Sequence, residues 1–301
     1  MHDFPQDIMI EVTNECNLRC ITCYSHQDWR KREYMPFSVY QKVIDEIPEK
    51  NNKSISLYNY WEPLLHPEIW KMIGYAKWSG IKNIKIATNG TILNLKKIIE
   101  IVKGWLDYIS ISIDWTTQDV YEIFRIWWSL FNVIRNIKNL VRIKEDLQSS
   151  LIIELQFIIM RHNEWQIEDI MKLAKELKVD LLRYKTVLIK DKKWEYLLPS
   201  NKKYSRYTNT SVKYCNKPKE SIVVNVDGKI IPCCYITDNF ITKYTFWNIK
   251  NENFQEVFNK NKNQQFIKEV TTDKSNTDYC KDCSEWNLNL NYKLIKLNYD
   301  S

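Results

Sequence analysis

Glycine is scarce in this chain of 301 residues: only 5 are glycine, under 2%, where a soluble protein has about 7%. Tryptophan, in contrast, reaches 12 residues and outnumbers the 10 phenylalanines. A fold with many turns needs glycine at positions that other residues do not fit. The deficit of one residue and the excess of the other therefore suggest a common cause.

Long apolar runs and a leader-like start are missing as well. The chain has no stretch of about 18 apolar residues, and Met1–Asp7 contains no basic region followed by an apolar one. The net charge is +7, but the lysines are spread along the whole length, which favours a solvated surface over a nucleic-acid-binding one. We therefore expect a cytoplasmic protein, with neither a membrane nor nucleic acid as its partner.

The eight cysteines fall into two groups near the two ends of the chain. A small secreted protein would use them as a disulfide framework, but in a cytosolic chain closely spaced cysteines are more typical of a metal or cluster site. The long stretch without cysteine between the groups predicts two separate sites. The first group is Cys16, Cys20 and Cys23, and the second is Cys215, Cys233, Cys234, Cys280 and Cys283.

Short apolar runs alternate with helix-length amphipathic runs from residue 8 to about residue 186. Six strands separated by helices predict a parallel sheet with right-handed crossovers. A closed eight-unit barrel typically takes about 250 residues, so an open α/β partial barrel of the TIM type, (βα)6, fits better. The predicted strands are 8–12, 55–60, 84–88, 108–113, 152–159 and 181–184, and the predicted helices are 37–47, 67–77, 93–102, 129–143 and 167–177.

Two of these strands carry polar side chains on one face. Ser110 and Ser112 alternate with isoleucines in the fourth strand, and Glu154 and Gln156 alternate with apolar residues in the fifth. A strand covered by helices on both faces is apolar throughout, so the alternation predicts that one face lines a polar chamber. A wet, half-exposed sheet is the alternative.

The pattern changes after about residue 190. Polar residues at 201–210 are typical of a linker, and 222–226 and 229–232 are predicted as a hairpin joined by the two-residue turn Asp227-Gly228. A helix is predicted over 253–270. We therefore expect two domains, the partial barrel at 1–205 and a small α+β cluster-binding domain at 206–301.

The first cysteine group directly follows the first predicted strand, with the spacing Cys16-x3-Cys20-x2-Cys23. Barrel folds place their chemistry in the loops at this end of the strands. Three thiolates can hold three irons of a four-iron cluster and leave the fourth open to another ligand. A structural zinc site is the alternative, but zinc there usually takes four protein ligands.

On these residues the chain resembles the radical S-adenosylmethionine (SAM) superfamily, whose signature is C-x3-C-x2-C in this position. The resemblance extends over the whole chain, although Thr22 stands where an aromatic residue often precedes the third cysteine. Trp61-Glu62-Pro63 is similar to the family's Gly-Glu-Pro segment, with tryptophan where glycine is expected. The other matching segments are Thr88-Asn89-Gly90, Ser112-Ile113-Asp114 and Arg125 ahead of Trp127-Trp128-Ser129.

The resemblance implies a [4Fe–4S] cluster whose open iron binds SAM. An electron from a donor such as flavodoxin or ferredoxin would cleave SAM, and the resulting 5′-deoxyadenosyl radical would remove a hydrogen from the substrate. A structural role stays open for each polar residue, such as chamber lining for Ser112 or a surface ion pair for Arg125. The SAM contacts that the resemblance implies are the Trp61-Glu62 segment, Asn89, Ser112, Arg125 and Gln156.

The second cysteine group resembles the SPASM/Twitch extension in its short form. The resemblance implies an auxiliary [4Fe–4S] cluster that carries electrons, and a zinc site with the same thiols is the alternative. Since neighbouring residues of a strand point to opposite faces, Cys233 and Cys234 are not expected to ligate together, and Cys234 is predicted to be a small buried residue. The implied ligands are Cys215, Cys233, Cys280 and Cys283.

The substrate class is less constrained. Only 15 residues precede Cys16, too few for the peptide-recognition domain that some peptide-modifying relatives carry there. This favours a small molecule, such as a sugar or an aminocyclitol oxidised at a carbinol, over a peptide- or protein-modifying maturase. No acid–base residue can be named. A non-catalytic zinc- or cluster-binding protein is the alternative if Trp61 blocks the SAM pocket.

Several tryptophans stand at positions where glycine is expected. Trp61 stands at the glycine of Gly-Glu-Pro, Trp127-Trp128 lies in a Gly-Gly-Ser-like turn, and Trp105, Trp115 and Trp247 lie at predicted turns. These are places that favour glycine's positive φ or its lack of a side chain. We hypothesise that the gene uses UGA as a glycine codon that was translated as tryptophan; a genuinely tryptophan-rich protein is the alternative.

Overall fold

The computed structural model describes residues 3–26, 30–125, 129–189, 191–206, 213–237, 239–245, 247–281, 283 and 293–299. The chain divides into two compact units, of which the first comprises 1–16, 27–86 and 210–286 and the second 17–26, 87–209 and 287–301. The strands are β1 (Asp7–Ile10), β2 (Ser54–Ser56), β3 (Asn83–Thr88), β4 (Tyr108–Ser112), β5 (Ile152–Ile159), β6 (Leu181–Thr186), β7 (Ser221–Val224), β8 (Lys229–Ile231), β9 (Trp247–Asn248) and β10 (Lys293–Lys296). The α-helices are α1 (Phe37–Glu46), α2 (Ile69–Trp78), α3 (Leu95–Lys103), α4 (Gln118–Phe124), α5 (Leu130–Asp146), α6 (Ile167–Glu176), α7 (Lys217–Glu220), α8 (Asn239–Tyr244), α9 (Phe254–Phe258) and α10 (Asn261–Asp273).

The alternation of strands and helices in the barrel region confirms the predicted order. The six predicted strands are β1 to β6, and the five predicted helices are α1, α2, α3, α5 and α6. The additional helix α4 has only seven residues, too few to show helical periodicity in the sequence. The predicted domain boundary lies beside residues 207–212, outside the described ranges, and stays a prediction.

In the first compact unit, β1 lies at the centre of the sheet. It pairs in parallel with β2 on one side and with β7 on the other. Beyond β7 the sheet continues in antiparallel fashion through β8 to β9. The strands of the cysteine-rich C-terminal region therefore extend the same sheet as the first strand of the chain.

The β7–β8 hairpin forms as predicted, but its loop has three residues rather than two. The last pair before the loop is Asn225 and Lys229, and the Gly228 amide closes a turn onto the Asn225 carbonyl at 2.8 Å. Gly228 has a φ of +84°. A type I turn followed by a left-handed residue is the usual form of a three-residue hairpin loop, and this conformation favours glycine.

The predicted helix over 253–270 is wrong in one respect, because α9 and α10 replace it. Lys260 has an extended backbone, with ψ at 143°, at the start of α10. The side-chain amides of Asn263 and Gln264 donate to the Phe258 carbonyl, at 2.8 and 3.0 Å. These two side chains satisfy the end of α9 and stabilise the break.

In the second compact unit, β4, β5 and β6 pair in parallel, and β10 adds an antiparallel strand to β6. Alternate side chains of β4 and β5 form an apolar core, in which Ile109, Ile111, Ile153 and Leu155 have no exposed surface. No helix in the described ranges is both long and apolar enough to cross a membrane.

The opposite face of β4 and β5 is polar and buried. The Glu154 carboxylate accepts hydrogen bonds from the Ser110 hydroxyl at 2.8 Å, from Arg183 Nε at 2.6 Å and from the Tyr108 hydroxyl. Burial and then the bond to Glu154 raise the pKa of Tyr108. A buried, hydrogen-bonded polar face agrees with the predicted polar chamber rather than with a wet, half-exposed sheet.

Candidate functional site

The first cysteine group lies in the loop that follows β1. Cys20 is buried, Cys16 and Cys23 are half-buried, and none of them forms a disulfide. The Cys23 amide donates to the Cys20 carbonyl at 3.0 Å, and the Ser25 amide points at Cys23 Sγ from 3.5 Å. Three free thiols in one loop fit the three-ligand set of a four-iron cluster with one open iron.

In the second compact unit, side chains from the end of β3 anchor this loop. Asn89 Nδ2 donates to Asn17 Oδ1 at 2.9 Å, and Asn17 Nδ2 donates to Thr91 Oγ1 at 2.8 Å. Gly90 has a φ of +74°, and a Cβ there would lie 3.0 Å from an Ile111 methyl group. Asn89 therefore positions the loop residue Asn17, and its predicted contact with SAM stays a prediction.

Arg125 is buried, so its alternative assignment as a surface ion pair is wrong. Its Nε and Nη2 donate to Asp114 Oδ2 at 3.0 and 2.7 Å. Burial lowers the pKa of Arg125, but the negative charges of Asp114 and Cys20 raise it by more, so the guanidinium keeps its charge. The structure thus brings Arg125 close to a cysteine of the first group.

Asp114 is a site residue to which the sequence pattern assigns no role. Its second oxygen, Oδ1, accepts the Ile158 amide at 3.0 Å, and its backbone carbonyl accepts Asn163 Nδ2 at 2.6 Å. Asp114 is therefore fixed from β5 and from the segment that follows it. The sequence feature that could have identified Asp114 is its position in Ser112-Ile113-Asp114, two residues after an implied SAM contact.

Ser112 and Gln156 lie side by side on β4 and β5. They are partners in the strand register, with Gln156 Nε2 at 3.5 Å from Ser112 Oγ. Both side chains are half-buried, so they offer a hydroxyl and an amide at the end of the polar face. Their predicted SAM contacts stay predictions.

In the first compact unit, the Trp61-Glu62 segment is fixed to the start of the cysteine loop. The Glu62 amide donates to the Glu15 carbonyl at 3.0 Å, and the Glu62 carboxylate accepts the Leu64 amide at 3.1 Å. Trp61 is 6% exposed, and its indole Nε1 donates to Glu11 Oε2 at 2.7 Å. The Glu62 carboxylate thus caps the 3-10 turn Pro63–Leu65 that follows it.

Glu11, which the sequence pattern does not single out, organises this part of the first unit. Arg30 donates to both of its oxygens, at 2.8 and 3.1 Å, and the Val226 amide donates at 3.2 Å. Burial raises the pKa of Glu11, while Arg30, Trp61 and Val226 oppose the rise. The carboxylate ties the first strand to the β7–β8 loop.

The second cysteine group converges around a hydrophobic cluster of the first unit. Burial, followed by the charges of Cys283 and Cys215, raises the pKa of Cys280 to about 12. Cys233 has a raised pKa because of a hydrogen bond with Cys234 and burial, and Cys283 contributes. Thiols that raise one another's pKa lie close together and, on binding a metal or cluster, would release protons. The four implied ligands therefore fit a shared cluster.

Two lysines accompany these thiols. Lys274 is buried, and its Nζ donates to the Cys283 carbonyl at 2.6 Å. Its charge lowers the pKa of both Cys215 and Cys280 against the effect of burial. The charges of Cys234 and Cys233 raise the pKa of Lys217, although burial lowers it. Positive charge thus offsets the negative charge that four thiolates would bring.

The strand argument that separates Cys233 from Cys234 does not apply, because β8 ends at Ile231. Both side chains are half-buried and pack against the same cluster of Val223, Ile231 and Val270. The choice of Cys233 as ligand stays a prediction. Within the described ranges, no three His, Cys, Asp or Glu side chains form the ligand shell of one metal ion.

Comparison with known proteins adds relatives over most of the chain. It is 22% identical over 290 residues to the tungsten-containing aldehyde ferredoxin oxidoreductase cofactor-modifying protein of Pyrococcus furiosus, covering 83% of this chain and 80% of that one. Several other curated relatives are matched over 41% to 56% of their own length.

Two solved structures share the fold. BtrN in complex with AdoMet and 2-DOIA aligns with a TM-score of 0.59 and 18% identity over 94% of both chains. The protein anSMEcpe with bound AdoMet and the Kp18Cys peptide aligns with a TM-score of 0.66 and 18% identity, over 95% of this chain and 88% of that one. These alignments confirm the expected α/β partial barrel with a small C-terminal domain.

Family models assign both halves of the chain. The model of an iron–sulfur cluster-binding domain, SPASM, matches residues 215–284 and so covers the second cysteine group. The radical SAM superfamily model matches residues 10–174, more than half of the chain. The chain therefore belongs to the radical SAM superfamily and carries a SPASM iron–sulfur cluster-binding domain.

Proposed function

We propose that this radical SAM enzyme oxidises a small polar molecule, such as a sugar or an aminocyclitol, at a carbinol carbon. Its cofactors are SAM, a SAM-binding [4Fe–4S] cluster and an auxiliary [4Fe–4S] cluster. When bound, these groups supply a 5′-deoxyadenosyl radical and an electron acceptor. In the proposed reaction the carbinol loses one hydrogen atom to the radical, a proton to water and one electron to the auxiliary cluster, which leaves a carbonyl.

The convergence of the second cysteine group carries this proposal. After burial, the charges of Cys283 and Cys215 raise the pKa of Cys280, and the charge of Cys283 also contributes to the raised pKa of Cys233. A cluster whose four irons are all held by thiolates has no open position for a substrate, so electron transfer is the role that suits it. An enzyme that takes up an electron after hydrogen removal is an oxidase of its substrate.

The proposed roles at the first site follow from the contacts of each residue. Cys16, Cys20 and Cys23 hold the SAM-binding cluster. Arg125, fixed by Asp114, presents a guanidinium near Cys20 that suits the SAM carboxylate. The backbone of the Trp61-Glu62 segment serves the SAM amine. For the ribose hydroxyls, the proposed donors are Ser112, Gln156 and Asn89.

The polar face of the second unit supports a small, hydroxyl-rich substrate. Ser112 and Gln156 end a face that continues through Ser110, Glu154 and Arg183. Side chains of this kind recognise hydroxyl and amine groups by hydrogen bonds. The likeness to BtrN, solved with 2-DOIA, covers 94% of both chains and supports the same class. Peptide modification is the second candidate, favoured by the comparable likeness to peptide-bound anSMEcpe.

The test is anaerobic purification followed by metal analysis and assay. We expect about eight irons and as many sulfides per chain, as for two four-iron clusters, and formation of 5′-deoxyadenosine from SAM under reduction by flavodoxin or ferredoxin. Candidate sugars and aminocyclitols carrying deuterium at each carbinol carbon are then supplied in turn. Transfer of deuterium into 5′-deoxyadenosine, together with a carbonyl product, supports the proposal.

Two results would contradict it. Deuterium transfer from a cysteine- or serine-containing peptide, with none from the carbinol panel, would favour the second candidate. Stoichiometric zinc with no cleavage of SAM would contradict both enzymatic candidates and favour a non-catalytic binding protein.

A further inference from the structure

Three tryptophans of this protein lie where packing rarely places tryptophan, although Trp194 and Trp247 are buried and Trp247 lies in β9 rather than at the predicted turn. Among those in the described ranges, Trp78, Trp105 and Trp165 are 81%, 59% and 61% exposed, whereas tryptophan is highly buried on average. Trp78 is the last residue of α2, Trp105 lies between α3 and β4, and Trp165 lies in the 3-10 turn at 164–166. Turns are a usual place of glycine, whereas the glycine position after α2 is already occupied by Gly80, with a φ of +98°.

Trp115, in contrast to the exposed tryptophans, is completely buried. Trp115 lies between β4 and α4 with no exposed surface, and its indole Nε1 has no hydrogen-bond partner. The ring centroids of Tyr121 and His162 lie 5.7 and 5.6 Å from that of Trp115. Tyr121 Oη and His162 Nε2 are likewise buried without a partner. Three orphaned polar atoms around one indole are unusual, because buried polar groups are nearly always paired.

Position 61 belongs to the proposed cofactor site. The Trp61 indole fills the space between Glu11 Oε2, at 2.7 Å, and the Arg32 guanidinium, 4.6 Å from the ring centroid. Glu11 retains Arg30 and the Val226 amide without it. Loss of the indole would therefore open space beside the Glu62 backbone and leave no carboxylate unpaired.

We infer that positions 61 and 115, and the tryptophans at turns generally, are glycine in the protein that the organism makes, because its UGA codons are read as glycine. The five glycines and 12 tryptophans together make 17 residues, under 6% of the chain and much closer to the ordinary glycine content of about 7% than the five alone. No tryptophan in the described ranges has a positive φ, so side-chain space and burial carry the inference. Trp127 and Trp128 lie outside the described residues.

Glycine at 115 also creates a binding site. The space of the indole becomes a pocket lined by Tyr121 Oη and His162 Nε2, beside the Asp114–Arg125 pair. Such a pocket takes a polar group, either water or a hydroxyl of a bound ligand, that pairs with both atoms. If the ligand in this pocket is SAM or the substrate, the inference depends on the proposed function. If it is water, the inference does not.

The first test reads the gene and the protein, independently of any activity. We expect TGA codons at positions 61, 105 and 115. Peptides of the protein isolated from its organism should be lighter by one indolylmethyl group at each of these positions. TGG codons at 61 and 115, or peptides that contain tryptophan there, would overturn the inference and leave the proposed function untouched.

The second test compares variants of the reconstituted protein. Trp61→Gly is expected to bind SAM at least about tenfold more tightly, measured as the SAM-dependent change in the EPR spectrum of the reduced cluster. Trp78→Gly, at an exposed helix end, is the control and should bind as the parent does. Equal or weaker binding by Trp61→Gly contradicts the opened cofactor space.

Stability gives a matching readout at position 115. Removal of a well-packed native indole lowers the unfolding midpoint sharply, whereas Trp115→Gly is expected to leave the urea midpoint unchanged or higher. Leu155→Gly, at a core position of β5, is the control that should lose stability. A large loss for Trp115→Gly would show that the indole is native.

Discussion

Asp114 and Arg125 form an ion pair that is buried on both sides. Asp114→Asn would leave the guanidinium without its nearest countercharge. We expect unfolding free energy to fall by about 3–5 kcal/mol, because an uncompensated buried charge is costly, and SAM binding to weaken as Arg125 loses its fixed position. Urea unfolding of the metal-free chain measures the first effect.

The matched control for this prediction is Glu176→Gln, which breaks the exposed pair of Lys138 and Glu176. An exposed pair contributes at most about 1 kcal/mol, so this variant should unfold close to the parent. If Asp114→Asn unfolded at the same urea concentration as the control, the charge of Arg125 would not depend on Asp114.

Lys274 is the residue best placed to tune the auxiliary cluster. Its ammonium is buried, donates to the Cys283 carbonyl at 2.6 Å and acts on Cys215 and Cys280. A nearby positive charge stabilises the more negative reduced cluster and so raises its reduction potential. Lys274→Met should therefore shift the potential downward, and Lys274→Arg should retain it.

The measurement is a redox titration followed by EPR, in a chain whose Cys16, Cys20 and Cys23 are replaced by alanine so that only the auxiliary cluster reports. Lys268→Met removes an exposed lysine of α10 and serves as the control. An unchanged potential in Lys274→Met, with full iron content, would exclude electrostatic tuning by this residue.

At the scale of residues, motif spacing predicts the cysteines and Arg125 but not the partners that fix them. Asp114 lies 11 positions before Arg125, on a different element, and no local pattern pairs the two. Lys274 is one of many lysines in the sequence. Only folding buries it beside Cys283.

At the scale of elements, the segment after β8 decides which of two adjacent cysteines holds the auxiliary cluster. Cys283 contributes to the raised pKa of Cys233, after Cys234 and burial, and we propose Cys233 as the ligand. We expect Cys233→Ala to lose the auxiliary cluster and Cys234→Ala to retain it. Iron and sulfide analysis of the chain without the first cysteine group measures both, since only one cluster can then form.

The reverse result, iron lost only with Cys234→Ala, would assign the ligand to Cys234. Loss with both variants would indicate that the two thiols support the cluster together. The unchanged fold of each variant can be checked by far-UV circular dichroism.

A strand is predicted well when its own residues carry the apolar pattern. It is predicted poorly when it forms only because it pairs with a neighbouring strand. The strands β3 to β6 follow from their closely spaced isoleucines and leucines. The strands β9 and β10 have two and four residues, and they exist because β8 and β6 offer them an edge. A strand of that length carries too little pattern to be recognised alone.

At the scale of the whole molecule, the α/β partial barrel and its two iron–sulfur clusters were correctly predicted, but the pairing of the first strand with the cysteine-rich C-terminal region was not. Ile8 pairs with Ile222, more than 200 residues later, so β7 continues the sheet of β1. Sequence gives no signal for such a pairing, because both strands are short and apolar and could join several edges. In the first compact unit, β1 and the strands of the SPASM region thus belong to one sheet.

Separate roles for the two sites give the last prediction. Cys20→Ala removes a ligand of the SAM-binding cluster and should abolish cleavage of SAM. Cys280→Ala should leave cleavage in place but uncouple it from substrate oxidation, because the electron from the substrate radical has no acceptor. The measurement is the ratio of 5′-deoxyadenosine to oxidised product under reducing, anaerobic conditions.

The ratio distinguishes the roles more sharply than total activity does. In the parent, one oxidised product should accompany each 5′-deoxyadenosine, whereas Cys280→Ala should form 5′-deoxyadenosine with little product. Cys234→Ala is the matched control, since it removes a thiol from the same region, and it should keep the parent's ratio. Equal loss of cleavage in Cys20→Ala and Cys280→Ala would mean that the second cluster supplies electrons to the first or holds the fold, and would contradict its role as the acceptor.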